Sequence, residues 1–119
     1  MDILGEVRLN YSECTTNGYL HKVWTNDNGD YHRVDGPAYI VYHENGGLSS
    51  EEYFINGNIH RKDGPAFTYF GENGKVVNNI YYIDGNYLGH NTDGFWELWE
   101  HLSEDERNNS NILKILSSI

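Results

Sequence analysis

His32-Arg33-Val34-Asp35-Gly36-Pro37-Ala38 returns 28 residues later as His60-Arg61-Lys62-Asp63-Gly64-Pro65-Ala66. Only one slot differs, Val34 against Lys62. The turn signals on either side keep the same period. Asn17-Gly18, Asn28-Gly29, Asn45-Gly46, Asn56-Gly57, Asn73-Gly74 and Asp84-Gly85 are separated by 11, 17, 11, 17 and 11 residues. A fixed internal period is the signature of one supersecondary unit stacked on copies of itself. Asn-Gly and Asp-Gly close tight hairpins, because both residues tolerate positive φ.

Between the turns lie short runs rich in aromatic and β-branched residues. In the middle copy these are 38–43 and 48–55, in the third 66–70 and 76–83, and in a weaker first copy 7–14 and 20–25. Tyr11, Tyr39 and Phe67 fall on one repeat position, and Leu20, Leu48 and Val76 on another, which predicts a shared buried face. The expectation is a mainly β fold: an antiparallel meander of three 28-residue hairpin repeats, about six strands, over 7–90. Beyond Asn86 the period fails. Phe95, Trp96, Leu98, Trp99 and Leu102 recur at helical spacing behind Thr92 or Asp93 as cap, with Glu104, Asp105 and Glu106 on the polar side or at the end. Residues 107–109 read as a break, and Ser110 as the cap of a last helix carrying Ile112, Leu113, Ile115, Leu116 and Ile119. One or two C-terminal α-helices over 92–119 would thus cap the array, the whole of 1–119 forming a single domain.

Composition narrows the function. Of 119 residues 38% are hydrophobic, with 10 Tyr, 4 Phe and 3 Trp. Such a tyrosine-rich chain suits half-exposed sheets better than a deep helical core. A net charge of −10 argues against direct nucleic-acid binding and leaves room for a protein partner with a basic or nucleic-acid-binding surface. The lone Cys14 rules out an internal disulfide, and a small buried side chain is its ordinary role. With neither a signal-peptide pattern nor an apolar run of membrane-spanning length, a cytoplasmic setting is expected, with no membrane. Fifteen Asn beside ten Tyr suit an AT-rich coding genome, such as some bacteria and many of their viruses have.

His32-Arg33-x-Asp35 and His60-Arg61-x-Asp63 hold a base, an anion clamp and a carboxylate, and so tempt a catalytic reading. A site duplicated with the repeat is more often scaffold than catalyst. Asp opens an Asp-Gly-Pro bend, Pro sits where a missing N–H is harmless, and Arg bridges to Asp or to bend carbonyls. The six His show no zinc-ligand spacing, and no Gly-rich loop precedes a helix with Lys-Ser/Thr. The expectation is therefore no enzyme, no metal and no cofactor.

The pattern Asn-Gly-x-x-His-Arg-x-Asp-Gly-Pro-Ala resembles short repeats in bacterial and phage proteins and, more distantly, is similar to MORN-type repeats, including the MORN-repeat antitoxins. The resemblance spans 7–90. It implies single-layer β-hairpin arrays that serve as binding platforms. Together with the small size and acidity, it points to a non-enzymatic protein-binding inhibitor, such as an antitoxin or a phage anti-defence protein in a bacterial or infected host cytoplasm. Candidate contacts are Tyr42, Tyr53, Tyr69, Tyr81, Glu51, Glu52, Trp96, Glu97 and Glu100, with Tyr31, Tyr39, Tyr82 and Tyr87 beside them. The alternative is a small-ligand or nucleotide sponge, in which His32, Arg33, His60 and Arg61 hold an anion between repeats. A homodimer through strand edges or aromatic faces is left open.

Overall fold

A computed structural model describes residues 9–90 and 101–107. The chain is mainly antiparallel β. Among the described residues nine strands run β1 (Asn10–Thr16), β2 (Tyr19–Thr25), β3 (Tyr39–Tyr42), β4 (Leu48–Glu52), β5 (Phe54–Ile55), β6 (Asn58–Ile59), β7 (Phe67–Phe70), β8 (Val76–Ile83) and β9 (Asn86–His90). Seven form one sheet in the order β1-β2-β3-β4-β7-β8-β9, while β5 and β6 pair only with each other. The extents of 43 × 39 × 18 Å fit a thin slab. Among the described residues the buried apolar ones are Ala38, Ile40, Ala66, Tyr81, Ile83 and Leu88.

All six turn signals bend the chain, but in two ways. At Asn17-Gly18, Asn56-Gly57 and Asp84-Gly85 both residues have positive φ (52° and 85°, 47° and 85°, 48° and 82°), the two-residue type I′ hairpin whose twist matches the strands. At the other three only the glycine is left-handed, with φ of 85°, 87° and 81° at Gly29, Gly46 and Gly74. Each of these is a longer loop: Gly46 N–H donates to His43 O at 2.9 Å and His43 N–H to Gly47 O at 2.8 Å, and the Asn26–Asp30 and Gly71–Lys75 loops repeat the pattern. That is a type I turn closed by a left-handed glycine, and the ladders shift register beside it, between Val41 and Tyr42 and between Tyr69 and Phe70.

In the first copy the two turn types are exchanged, and this moves the register. Trp24 N–H donates to Ala38 O, as Tyr53 N–H does to Ala66 O, both at 2.8 Å. Trp24 therefore stands where Tyr53 does, 29 residues on rather than 28. Tyr11 pairs with Trp24, whereas Tyr39 pairs with Glu52 and Phe67 with Ile80. Because strand residues alternate faces, the one-residue slip puts Tyr11 on the opposite side from Tyr39 and Phe67. The shared face expected for Tyr11 with Tyr39 does not hold; Tyr39 with Phe67 and Leu48 with Val76 keep step, and Leu20 and Leu48 both pair with Tyr42.

The expected strand 48–55 divides at Tyr53, where β7 takes the edge of β4 and the chain leaves as the small β5–β6 hairpin. The corresponding stretch of the last copy, β9, joins the main sheet instead. No His-Arg-x-Asp-Gly-Pro follows it to turn the chain back. Cys14, expected buried, is exposed, since β1 is an edge strand open along all seven residues.

Among the described residues the helix is α1 (Glu104–Arg107). It starts where an end and a break were expected. Ser103 Oγ accepts from Glu106 N–H at 3.1 Å, and Glu106 Oε1 accepts from Ser103 N–H at 2.9 Å. This reciprocal capping box holds the Glu106 carboxyl below the usual carboxylate range through its hydrogen bonds to Ser103. Most of the helix expected before it, and the one after it, lie outside the described residues. No helix among the described residues is long and apolar enough to cross a membrane.

Candidate functional site

The heptapeptides cross one face of the sheet, and they do so alike. Arg33 lies 4.0 Å over the Trp24 ring and Arg61 4.1 Å over the Tyr53 ring. Each guanidinium donates to the carbonyl closing its bend, Arg33 Nη1 to Pro37 O at 3.2 Å and Arg61 Nη1 to Pro65 O at 3.3 Å. The glycines make room for this. A Cβ at Gly36 would stand 3.0 Å from Arg33 Cζ, and one at Gly64 3.1 Å from Arg61 Cζ. The histidines accept: Asn56 N–H donates to His32 Nδ1 and Asp84 N–H to His60 Nδ1, both at 2.9 Å. An imidazole accepting at Nδ1 carries its proton on Nε2. These contacts tie each bend to the following hairpin turn, so His and Arg act first as supports.

The copies differ in their carboxylates. Arg33 Nε donates to Asp35 Oδ1 at 3.2 Å. Asp63 instead lies 3.8 Å from Arg107 Nη1, and among the described residues no carboxylate is ion-paired with Arg61. Between the two bends opens a groove of about 450 Å³, walled by Arg33, Val34, Asp35 and Gly36 on one side and by His60, Arg61, Lys62 and Asp63 on the other, with Tyr53 and Ile55. The anion-binding set thus converges in part: Arg33, His60 and Arg61 line the groove, while His32 is buried elsewhere at 3% exposure. Val34 and Lys62, the one slot that varies between the copies, both line it.

The partner-contact set does not form one surface. Cross-strand neighbours share a face, so the pairs Tyr39–Glu52, Glu52–Phe67 and Phe67–Ile80 define an aromatic face, joined by Val41, Ser50 and Tyr69. Glu52 and Tyr69 belong to it. Glu51, paired with Ile40, lies on the bend face, as does Tyr42, whose ring sits under Lys22 Nζ at 5.1 Å. Tyr53 is covered by Arg61, and Tyr81 is buried at 2% exposure, which removes it from any contact surface. Trp96, Glu97 and Glu100 lie outside the described residues.

The aromatic face carries linked rings. Tyr31 packs on Tyr39 at 5.3 Å and on Phe54 at 5.2 Å, and Phe67 on Tyr69 at 4.4 Å. Tyr31 and Tyr69 are the exposed members, at 38% and 44%. Glu52 sits between Tyr39 and Phe67, and burial pushes its carboxyl from 4.5 up to about 7. Burial, then Tyr31, Glu52 and Cys14, also raise the Tyr39 phenol. At the β1 edge the Tyr11 phenol is raised by its hydrogen bond to Glu13. Phe67, Val34 and Lys62 are the site residues the sequence reading passed over, and strand alternation is the signal that places Phe67 beside Tyr69.

Among the described residues no group of three or more His, Cys, Asp or Glu is placed to hold a metal ion. No family model matches the chain, and no curated protein or solved structure is significantly similar to it.

Proposed function

We propose that this chain is a non-enzymatic protein-binding module, an array of MORN-like β-hairpin repeats with a helical C-terminal cap, that holds and inhibits a protein partner through its aromatic face. One observation carries the reading: Tyr31, Tyr39, Phe67 and Tyr69 stand on one face of a thin sheet with two of them exposed. Aromatic rings bring large contact area at low conformational cost and dominate interface energetics. The charge of −10 steers a basic partner towards it. An antitoxin or a phage anti-defence inhibitor, working in a bacterial or infected host cytoplasm, is the form this takes.

The test is affinity purification from bacterial lysate with the wild-type chain and a Tyr31→Ala/Tyr69→Ala variant. The wild type retains one stoichiometric protein, and the variant loses it, each ring costing about 1–2 kcal/mol of binding, while its thermal midpoint stays close to wild type. Retention by the variant, or no stoichiometric protein from any of several hosts, defeats the reading.

A further inference from the structure

We propose that the groove between the two bends is a binding site for a small phosphorylated molecule, with the phosphate on Arg61 and Lys62 and the organic part against Val34 and Ile55. The site lies on the bend face, so it stands or falls independently of the aromatic face.

Charge comes first. Three of the ten groove-lining residues are Lys or Arg, against two Asp, in a chain with 18 acidic and 8 basic residues. The two halves of the groove are not equivalent. Arg33 is neutralised by Asp35 at 3.2 Å. The Arg61 guanidinium donates to Pro65 O, and among the described residues no carboxylate is ion-paired with it; Asp63, on the same groove wall, is 3.8 Å from Arg107. A guanidinium keeps its charge at any ordinary pH and offers a planar fork of donors that matches phosphate oxygens. Its stack on Tyr53 and its bond to Pro65 hold that fork in place before a ligand arrives, which lowers the ordering cost of binding.

Size and lining come second. About 450 Å³ falls within the usual range for small-molecule sites and exceeds what a bare phosphate fills. Val34 is 79% exposed, an apolar side chain held in water at the groove wall, with Ile55 among the same lining residues. An organic moiety gives that surface a partner. The chain's overall negative charge does not veto an anion here, because salt near 0.1 M screens charges beyond about 10 Å.

Titration followed by amide NMR tests the site, using inorganic phosphate, adenosine monophosphate, and phosphatidylcholine vesicles with and without phosphatidic acid. Saturable shifts confined to 33–36 and 60–63 are expected with adenosine monophosphate, and weaker ones with phosphate. A response to phosphatidic acid vesicles alone, sensitive to the same substitutions, keeps the phosphate site and makes its source a lipid headgroup. Lys62→Glu, on an exposed side chain, lowers affinity about tenfold or more. Arg61→Gln does the same and is read only if its amide spectrum stays folded. No saturation at millimolar concentrations of any probe, or binding indifferent to Lys62→Glu, overturns the proposal.

Discussion

Replacing Glu52 by Gln should stabilise the protein at neutral and alkaline pH and leave it unchanged in acid. Glu52 is held between Tyr39 and Phe67 in the sheet register, and burial lifts its carboxyl from 4.5 to about 7. Folded chains therefore keep the proton between pH 4.5 and about 7, where unfolded chains have released it. Folding stability falls as pH rises through that window and is level above it. At about 1.4 kcal/mol per pH unit, a fully enclosed carboxyl would lose about 3 kcal/mol. Glu52 is only half-buried, so water screens its charge, and about 1–2 kcal/mol is the expected loss. Gln keeps the shape and never ionises. The assay is the thermal midpoint of wild type and Glu52→Gln measured from about pH 4 to pH 8.5. Taking the difference between the two removes the contribution of every other carboxylate. The gap should be near zero at pH 4 and open to about 4–8 °C in favour of the variant by pH 8. A gap that stays constant with pH, or one that closes as pH rises, refutes the burial of Glu52 in this face.

Two further outcomes follow from the scaffold. Gly36→Ala and Gly64→Ala each drive a Cβ to within 3.0–3.1 Å of an arginine Cζ, and should cost about 1–3 kcal/mol in urea unfolding as the stacked guanidinium is displaced; two neutral substitutions would show that the stacks do not hold the bends. Among the described residues β1 is an edge strand of seven residues without Lys or Pro, and the hairpin turn at Asn17-Gly18 leaves the backbone groups of Tyr11, Glu13 and Thr15 facing outwards. Light scattering should find a dimer that Thr15→Pro dissolves, and a monomer at every concentration rules out pairing through this edge.

Turn chemistry made most of the main sheet legible: each of the six spaced turn pairs bends the chain, and each of the six expected runs contains strand. What the spacing could not show is how many residues each turn consumes. Asn28-Gly29 and Asn56-Gly57 look alike in sequence, yet one lies in a longer loop and the other in a two-residue turn. The side chain of Asn26 tips the first, its Oδ1 accepting from Asn28 N–H at 3.0 Å and from Asp30 N–H at 3.1 Å. That one-residue difference decides which face Tyr11 occupies. The tyrosine set went astray for the same reason, because composition marks residues fit for contact and only register sorts them onto faces. The Ser103-x-x-Glu106 box was legible, but the tryptophan-bearing run before it dominates the helical pattern. The groove was the least legible feature, since it exists only where two bends 28 residues apart are brought side by side.

The two heptapeptides separate scaffold from site by what they share. The histidine accepting a turn N–H, the arginine stacked on a ring and bonded to the proline carbonyl, and the glycine beneath it are the same in both copies. These contacts are made within the fold and need no ligand to explain them, although among the described residues His32 Nε2 is buried without a hydrogen-bond partner. What differs is the residue after the arginine and the partner of the aspartate, and both differences border one groove. The second depends on Arg107, which comes from α1, outside the repeated part of the chain. A 3.8 Å contact whose carboxylate, Asp63, is exposed is worth at most about 1 kcal/mol, so it adds little to the stability of the bend. Its larger consequence is local: Asp63 stands beside Arg107, and among the described residues no carboxylate is ion-paired with Arg61 at the groove. The repeated residues thus build the bend, and the part of the chain that breaks the repeat sets its charge.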